Sequence, residues 1–170
     1  MFSRSFSFTT IWAALSAQIV VNEKLRENIR EQLSGVYVIQ AWNTIQRFPK
    51  PTCVTQILMA CSPDRVDELN QAIFATLDSL KAGFIDERYI TSARNTMIKR
   101  HDENINSNRY WMTSMESNFL NGRPLDTFMG HPARYAKLNK AKITKAIKDY
   151  MNFNTNRLTV IMLPEAKPEE

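Results

Sequence analysis

Two β-rich segments, 36–45 and 53–61, stand on either side of Phe48-Pro49-Lys50-Pro51, and that arrangement leaves little choice of local fold. Val, Ile, Tyr, Trp and Thr are frequent in both segments, as half-buried pleated strands favour. The two prolines lack backbone N–H groups and fix φ, so the link is a turn or an extended connector and cannot be helical. The spacing predicts an antiparallel hairpin. Cys53 and Cys61 then share one strand, about 26 Å apart at roughly 3.3 Å per residue. They are too distant to pair with each other, and a thiol buried in a strand is normally inert.

Helical patterns surround the hairpin. Leu15, Ile19, Leu25, Ile29 and Leu33 follow a helical stripe interrupted by Asn22, which predicts one long helix over 11–34 ended by Gly35. Ser62-Pro63-Asp64 reads as a helix start, with a capping hydroxyl, Pro at the first helical position and an acid on the positive end of the dipole. Val66, Leu69, Ile73, Leu77 and Leu80 form its apolar face and Gly83 stops it. Asp86 caps a next helix with Ile90, Ala93 and Met97 toward the core. The polar run 101–108 contains no breaker, so that helix can continue through it. Tyr110, Trp111, Met115, Phe119 and Leu120 then resume the apolar pattern up to Asn121-Gly122-Arg123-Pro124. A short helix over 127–138, a last helix from an Asn139 cap to near Met151, and a final strand over 158–163 before Pro164 complete the pattern.

Strands and helices are segregated along the chain. This predicts an α+β fold, a mostly antiparallel sheet with helices packed on one face. Three strands are few for so many helices, so the sheet is expected to lack its first strands. The 170 residues suit one domain: residues 11–164, preceded by an unassigned segment 1–10 and followed by a frayed, charged tail 165–170.

The net charge is +5 and the excess falls late, in Lys137, Lys140, Lys142, Lys145 and Lys148. Their spacing spreads them round a helix opposite Ile143 and Ile147, as a solvated face does; a surface for an anionic partner is the sharper reading. Aromatics are not interleaved with these lysines, so nucleic acid gains little support. No stretch approaches the roughly 18–20 apolar residues of a membrane span. Residues 1–17 make a poor secretion signal, because the apolar run at 11–15 is short and Thr9, Thr10 and several Ser break it up.

Catalytic motifs are missing. His101 and His131 lie thirty positions apart and neither has the spacing of a helical zinc motif. A catalytic zinc needs three protein ligands held together, and no cluster supplies them. No nucleophile elbow and no glycine-rich phosphate loop occurs. One constellation stands out: Ile29-Arg30-Glu31-Gln32-Leu33-Ser34-Gly35-Val36-Tyr37. It sets Arg30 in the last turn of a helix and Tyr37 at the start of a strand, with a chain reversal between them. A guanidinium and a phenol together can hold a peptide carbonyl, or the oxyanion formed when water attacks it. The plainer reading is that Arg30 complements the helix dipole and Tyr37 suits a strand.

That segment resembles one in the second domain of pitrilysin/insulinase-type zinc metallopeptidases, including mitochondrial processing peptidases and their bacterial relatives. Cys61-Ser62-Pro63-Asp64-Arg65-Val66 with Glu68-Leu69, Asn108-Arg109-Tyr110-Trp111 and the ending Met162-Leu163-Pro164 are similar too. Each piece is weak alone and the four in register are fairly specific, covering about residues 25–164. The resemblance implies a partial, non-catalytic C-terminal domain of a zinc metalloendopeptidase. In that family repeated α+β domains close round an unfolded peptide. The zinc site, an inverted His-x-x-Glu-His with a distal Glu, lies in the N-terminal domain, so zinc is expected there and no cofactor in this chain. Carried over by position, the Arg and Tyr that reach substrate near the metal are Arg30 and Tyr37, seven positions apart. The implied partners are a zinc-bearing N-terminal domain or subunit and an extended peptide, and the implied location is periplasmic or membrane-associated.

The departures from the family pattern are the zinc half, the initial strands and residues 1–10. They leave a fragment, a split-gene product or a partner subunit as readings. An incomplete sheet predicts association. The alternative functions are a catalytically inactive peptide-binding or assembly subunit, and an unrelated basic protein on an anionic surface.

Overall fold

The computed structural model describes residues 8–34, 36–46, 49–50, 52–151, 153 and 156–163. Helix α1 (Phe8–Leu25) passes directly into a π-helical segment, Arg26–Gln32. Strands β1 (Val36–Gln46) and β2 (Thr52–Cys61) follow as the expected hairpin, paired antiparallel from Val36 with Cys61 to Gln46 with Thr52. Next come α2 (Val66–Lys81), α3 (Glu87–Asn104), α4 (Asn108–Leu120), α5 (His131–Tyr135) and α6 (Lys140–Tyr150). The architecture is α+β, with an antiparallel sheet and helices on one of its faces. Gly35, expected to end the first helix, lies outside the described residues.

The core forms where the inner face of the hairpin meets α1, α2 and α6. Val20, Val21, Leu25 and Ile29 pack with Leu69, Leu77, Leu80, Ile90, Ile143 and Ile147. Ile39, Ile57, Met59 and Cys61 close over them from the sheet. Each fully buried Leu or Ile contributes roughly 1.5–3 kcal/mol. Alternation along β2 leaves Val54, Gln56, Leu58 and Ala60 exposed, the mark of a sheet covered on one side. Both cysteines are free, and burial raises the pKa of Cys53. The helix-start signals perform as expected at Asp86 and Asn139, whose side chains accept from the backbone N–H groups of Arg88 and Lys142.

Several expectations need correction. The long helix changes winding at Arg26, and Leu33 lies exposed beyond it. The chain enters α2 through a 3-10 turn, Pro63–Arg65, and the Ser62 hydroxyl makes no capping bond. The helix does not continue through 101–108: α3 ends at Asn104 and α4 starts at Asn108. The short helix over 127–138 is a 3-10 segment, Leu125–Gly130, followed by α5. Trp111, Met112, Met115, Phe119 and Leu120 face outward, and the buried residue of α4 is Asn118. Finally, 158–163 forms no strand. A strand exists only against another strand's N–H and C=O groups, and β1 and β2 pair with each other alone among the described residues.

Candidate functional site

Three backbone irregularities fall within the residues from Arg26 to Tyr37. The π-helical segment carries Arg30, which projects from the surface next to the fully buried Ile29. Ser34 has φ of 50°, in the left-handed region that L residues with a Cβ seldom adopt. At the start of β1, Val36 pairs with Cys61 and Val38 with Ala60. Tyr37 is therefore the extra residue of a β-bulge, and its side chain is 76% exposed. Bulges re-aim side chains and π turns break helical register, and both occur often at functional sites.

Arg30 and Tyr37 are both open to solvent. Among the described residues neither side chain takes a hydrogen-bond or ion-pair partner.

Two side-chain clusters fasten this segment. At its front, Glu27 accepts from Arg88 Nη2 at 2.9 and 2.8 Å and from the Tyr89 hydroxyl, with Lys24 Nζ at 3.6 Å. The Tyr89 hydrogen bond, then the charges of Lys24 and Arg88, hold the Glu27 carboxyl below its usual range against the effect of burial. At its rear, Arg65 Nη1 donates to Ser34 O at 2.7 Å and to Leu33 O at 3.3 Å. The Glu68 carboxylate accepts from Arg65 Nε at 3.0 Å and Nη2 at 2.8 Å. That shared hydrogen bond raises the Arg65 pKa and lowers that of Glu68. The motif around Arg65 was visible in the sequence; its reach to residues 33 and 34 was not.

His101 and His131 lie well apart from this region and both are buried. Their rings are 5.9 Å apart in an aromatic cluster with Trp12, Tyr110 and Tyr135. His101 Nδ1 meets the Tyr110 hydroxyl at 3.0 Å. Burial, then the neighbouring charges of His101, Arg134 and Arg123, pull the His131 pKa down to about 4. These are packing histidines. Among the described residues no three His, Cys, Asp or Glu side chains form a group that could hold a metal ion. Among the described residues no helix is long and apolar enough to cross a membrane.

Residues 7–97, just over half of the chain, match the family described as the peptidase M16 inactive domain. Over 89 residues the chain is 32% identical to the probable zinc protease PqqL of Haemophilus influenzae, which covers 51% of this chain and 10% of that protein. The crystal structure of the periplasmic protease PqqL from Escherichia coli matches with a TM-score of 0.72 at 19% identity, over 88% of this chain and 16% of that one. A protease from Helicobacter pylori matches with a TM-score of 0.71 at 13% identity, over 87% of this chain and 36% of that one. At these identities the structural likeness speaks for the fold alone, and the chain spans only a small part of each relative. The matched segment contains both Arg30 and Tyr37. On the strength of that match the chain belongs to the M16 peptidase family, through its inactive domain.

Proposed function

We propose that this chain acts as the non-catalytic C-terminal domain of a zinc metalloendopeptidase. It helps to enclose an extended peptide and to position it at a zinc site borne by another domain or subunit. The observation that carries this reading is the placement of Tyr37 on a β-bulge and Arg30 on a π turn, both exposed and both inside the family match. Arg30 supplies two or more N–H donors in one plane and Tyr37 an O–H, a set suited to a peptide carbonyl and better suited to the oxyanion that hydrolysis forms. The periplasmic setting named for the E. coli relative is the location we propose here.

The test is reconstitution. Mixing this chain with the zinc-bearing N-terminal half of a PqqL-type protease is expected to restore cleavage of β-casein, an unfolded polypeptide. Arg30→Ala and Tyr37→Phe are each expected to lower kcat/KM on the order of a hundredfold, the scale for losing one oxyanion donor. Cleavage at an unchanged rate in both variants would remove the assigned roles.

A second reading, a catalytically inactive assembly or peptide-binding subunit, draws on the apolar side chains exposed on α4 and over 158–163. It predicts tight association that zinc removal leaves intact.

A further inference from the structure

The junction Cys61-Ser62-Pro63-Asp64-Arg65-Val66, which joins β2 to α2, has no part in peptide contact as described so far. A guanidinium offers five N–H donors in one rigid plane. The edge formed by Nε and Nη2 of Arg65 is filled by the Glu68 carboxylate at 3.0 and 2.8 Å. That contact fixes the plane and aims the remaining edge, where Nη1 and Nη2 each reach Leu33 O at 3.3 Å and Nη1 reaches Ser34 O at 2.7 Å. These carbonyls leave the end of the π-helical segment, where the last C=O groups lack helical partners and the dipole favours a cation. Holding the Ser34 carbonyl also holds the left-handed backbone at that residue. Two residues on, Val36 pairs with Cys61, only four positions before Arg65. The stretch that carries Arg30 and Tyr37 is therefore tied to the same junction twice, once by the ladder and once by the guanidinium.

We propose that Arg65, locked by Glu68, is a positioning residue that sets the turn through Ser34 and so orients Arg30 and Tyr37 toward an extended peptide. The inference rests on the peptide-contact role proposed for those two residues. Lysine keeps the charge but has no second edge, so it cannot hold the carbonyls and Glu68 together.

The experiment uses the full 170-residue chain and its Arg65→Lys and Glu68→Gln variants. Amide hydrogen exchange reads the clasp, and fluorescence anisotropy with fluorescein-labelled β-casein reads binding. In Arg65→Lys the backbone amides of Ser34, Val36 and Tyr37 are expected to exchange at least about tenfold faster, while those in the middle of α2 stay protected. Casein binding is expected to weaken about tenfold, with a smaller loss in Glu68→Gln. In a Tyr37→Phe background the Arg65→Lys change is expected to add little, because it acts through the same contact. Unchanged exchange overturns the clasp. Faster exchange with fully additive binding losses overturns the positioning role and leaves Arg65 as a stabilising residue. If wild-type chain fails to bind casein, the peptide-contact reading falls and the positioning role falls with it, and exchange still reports whether Arg65 holds the turn.

Discussion

Arg65 Nη1 lies 2.7 Å from the carbonyl oxygen of Ser34, and Ser34 is the described non-glycine residue with positive φ. The two facts belong together. A left-handed residue with a Cβ costs roughly 1–2 kcal/mol and persists where its surroundings over-determine it. Here the surroundings include a charge-assisted bond from a guanidinium that Glu68 already holds in place.

Ser34→Gly removes the Cβ conflict and keeps the carbonyl that Arg65 grips. Relief of the strain is partly offset by the greater freedom of Gly in the unfolded chain, about 0.5–1 kcal/mol. The expected outcome is a protein as stable as wild type or up to about 1 kcal/mol more so. Ser34→Val puts a β-branched side chain at the same φ and is expected to cost about 1–2 kcal/mol. Urea unfolding followed by circular dichroism measures both, and a stable Ser34→Val variant would contradict the strain argument.

Asn22, the polar break in the apolar stripe of α1, is a specific contact. Its Nδ2 donates to Ala41 O and its Oδ1 accepts from Ala41 N, both at 2.7 Å. Gln18 takes the N–H of Asn43 at 3.0 Å in the same manner. Side chains of α1 thus satisfy backbone groups of β1 that the ladder to β2 does not use. Asn22→Leu extends the apolar stripe but leaves the fully buried Ala41 with two unmet polar groups. A loss of about 2–4 kcal/mol is expected, read as a lower urea midpoint with an unchanged m-value.

These residues show how far the sequence could be read. Prolines 49 and 51 and the β-branched runs foretold the hairpin, and Asp86 and Asn139 foretold their caps, because each signal is local. Asn22 was visible only as an interruption, since its partner lies in a strand 19 positions on. The π winding, the bulge at Tyr37 and the reach of Arg65 to residues 33 and 34 depend on register and on distant contacts, which periodicity does not encode. The break between α3 and α4 contains neither Gly nor Pro. It falls among Asn104, Asn106 and Asn108, and Asn106 Nδ2 bonds to Asp102 O at 3.2 Å, the local competition that weakens helices at Asn.

The buried imidazole of His131 makes a prediction about acid. Its pKa falls from the ordinary 6.5 to about 4 in the folded protein, chiefly through burial and then the charges of His101, Arg134 and Arg123. Between those values the unfolded chain binds more protons than the native one, so stability falls as pH falls. The contribution is complete above about pH 6.5 and is lost progressively down to about pH 4, on the order of 3 kcal/mol in all. His131→Phe keeps an aromatic ring against Trp12 and Tyr135 and removes the titration. Thermal unfolding from pH 7 to pH 4 is expected to show a shallower fall of Tm in the variant; identical slopes would mean that His131 does not carry this dependence.

The segment 158–163 reads Leu-Thr-Val-Ile-Met-Leu and exposes its apolar side chains, Met162 at 91%. Six uncharged residues with no Pro and several β-branched members make a strand in search of an edge. Residues 160–163 are four successive apolar residues, the pattern of strands covered on both faces. On α4, Met112, Met115 and Phe119 recur at helical spacing and also face outward. Surfaces of this kind associate. Sedimentation velocity is therefore expected to show concentration-dependent self-association of the wild-type chain. Val160→Lys combined with Met162→Glu should shift it toward monomer if the strand-like segment dominates, and Phe119→Glu should do so if the helix face dominates. A wild-type chain that stays monomeric throughout would mean that neither surface drives self-association.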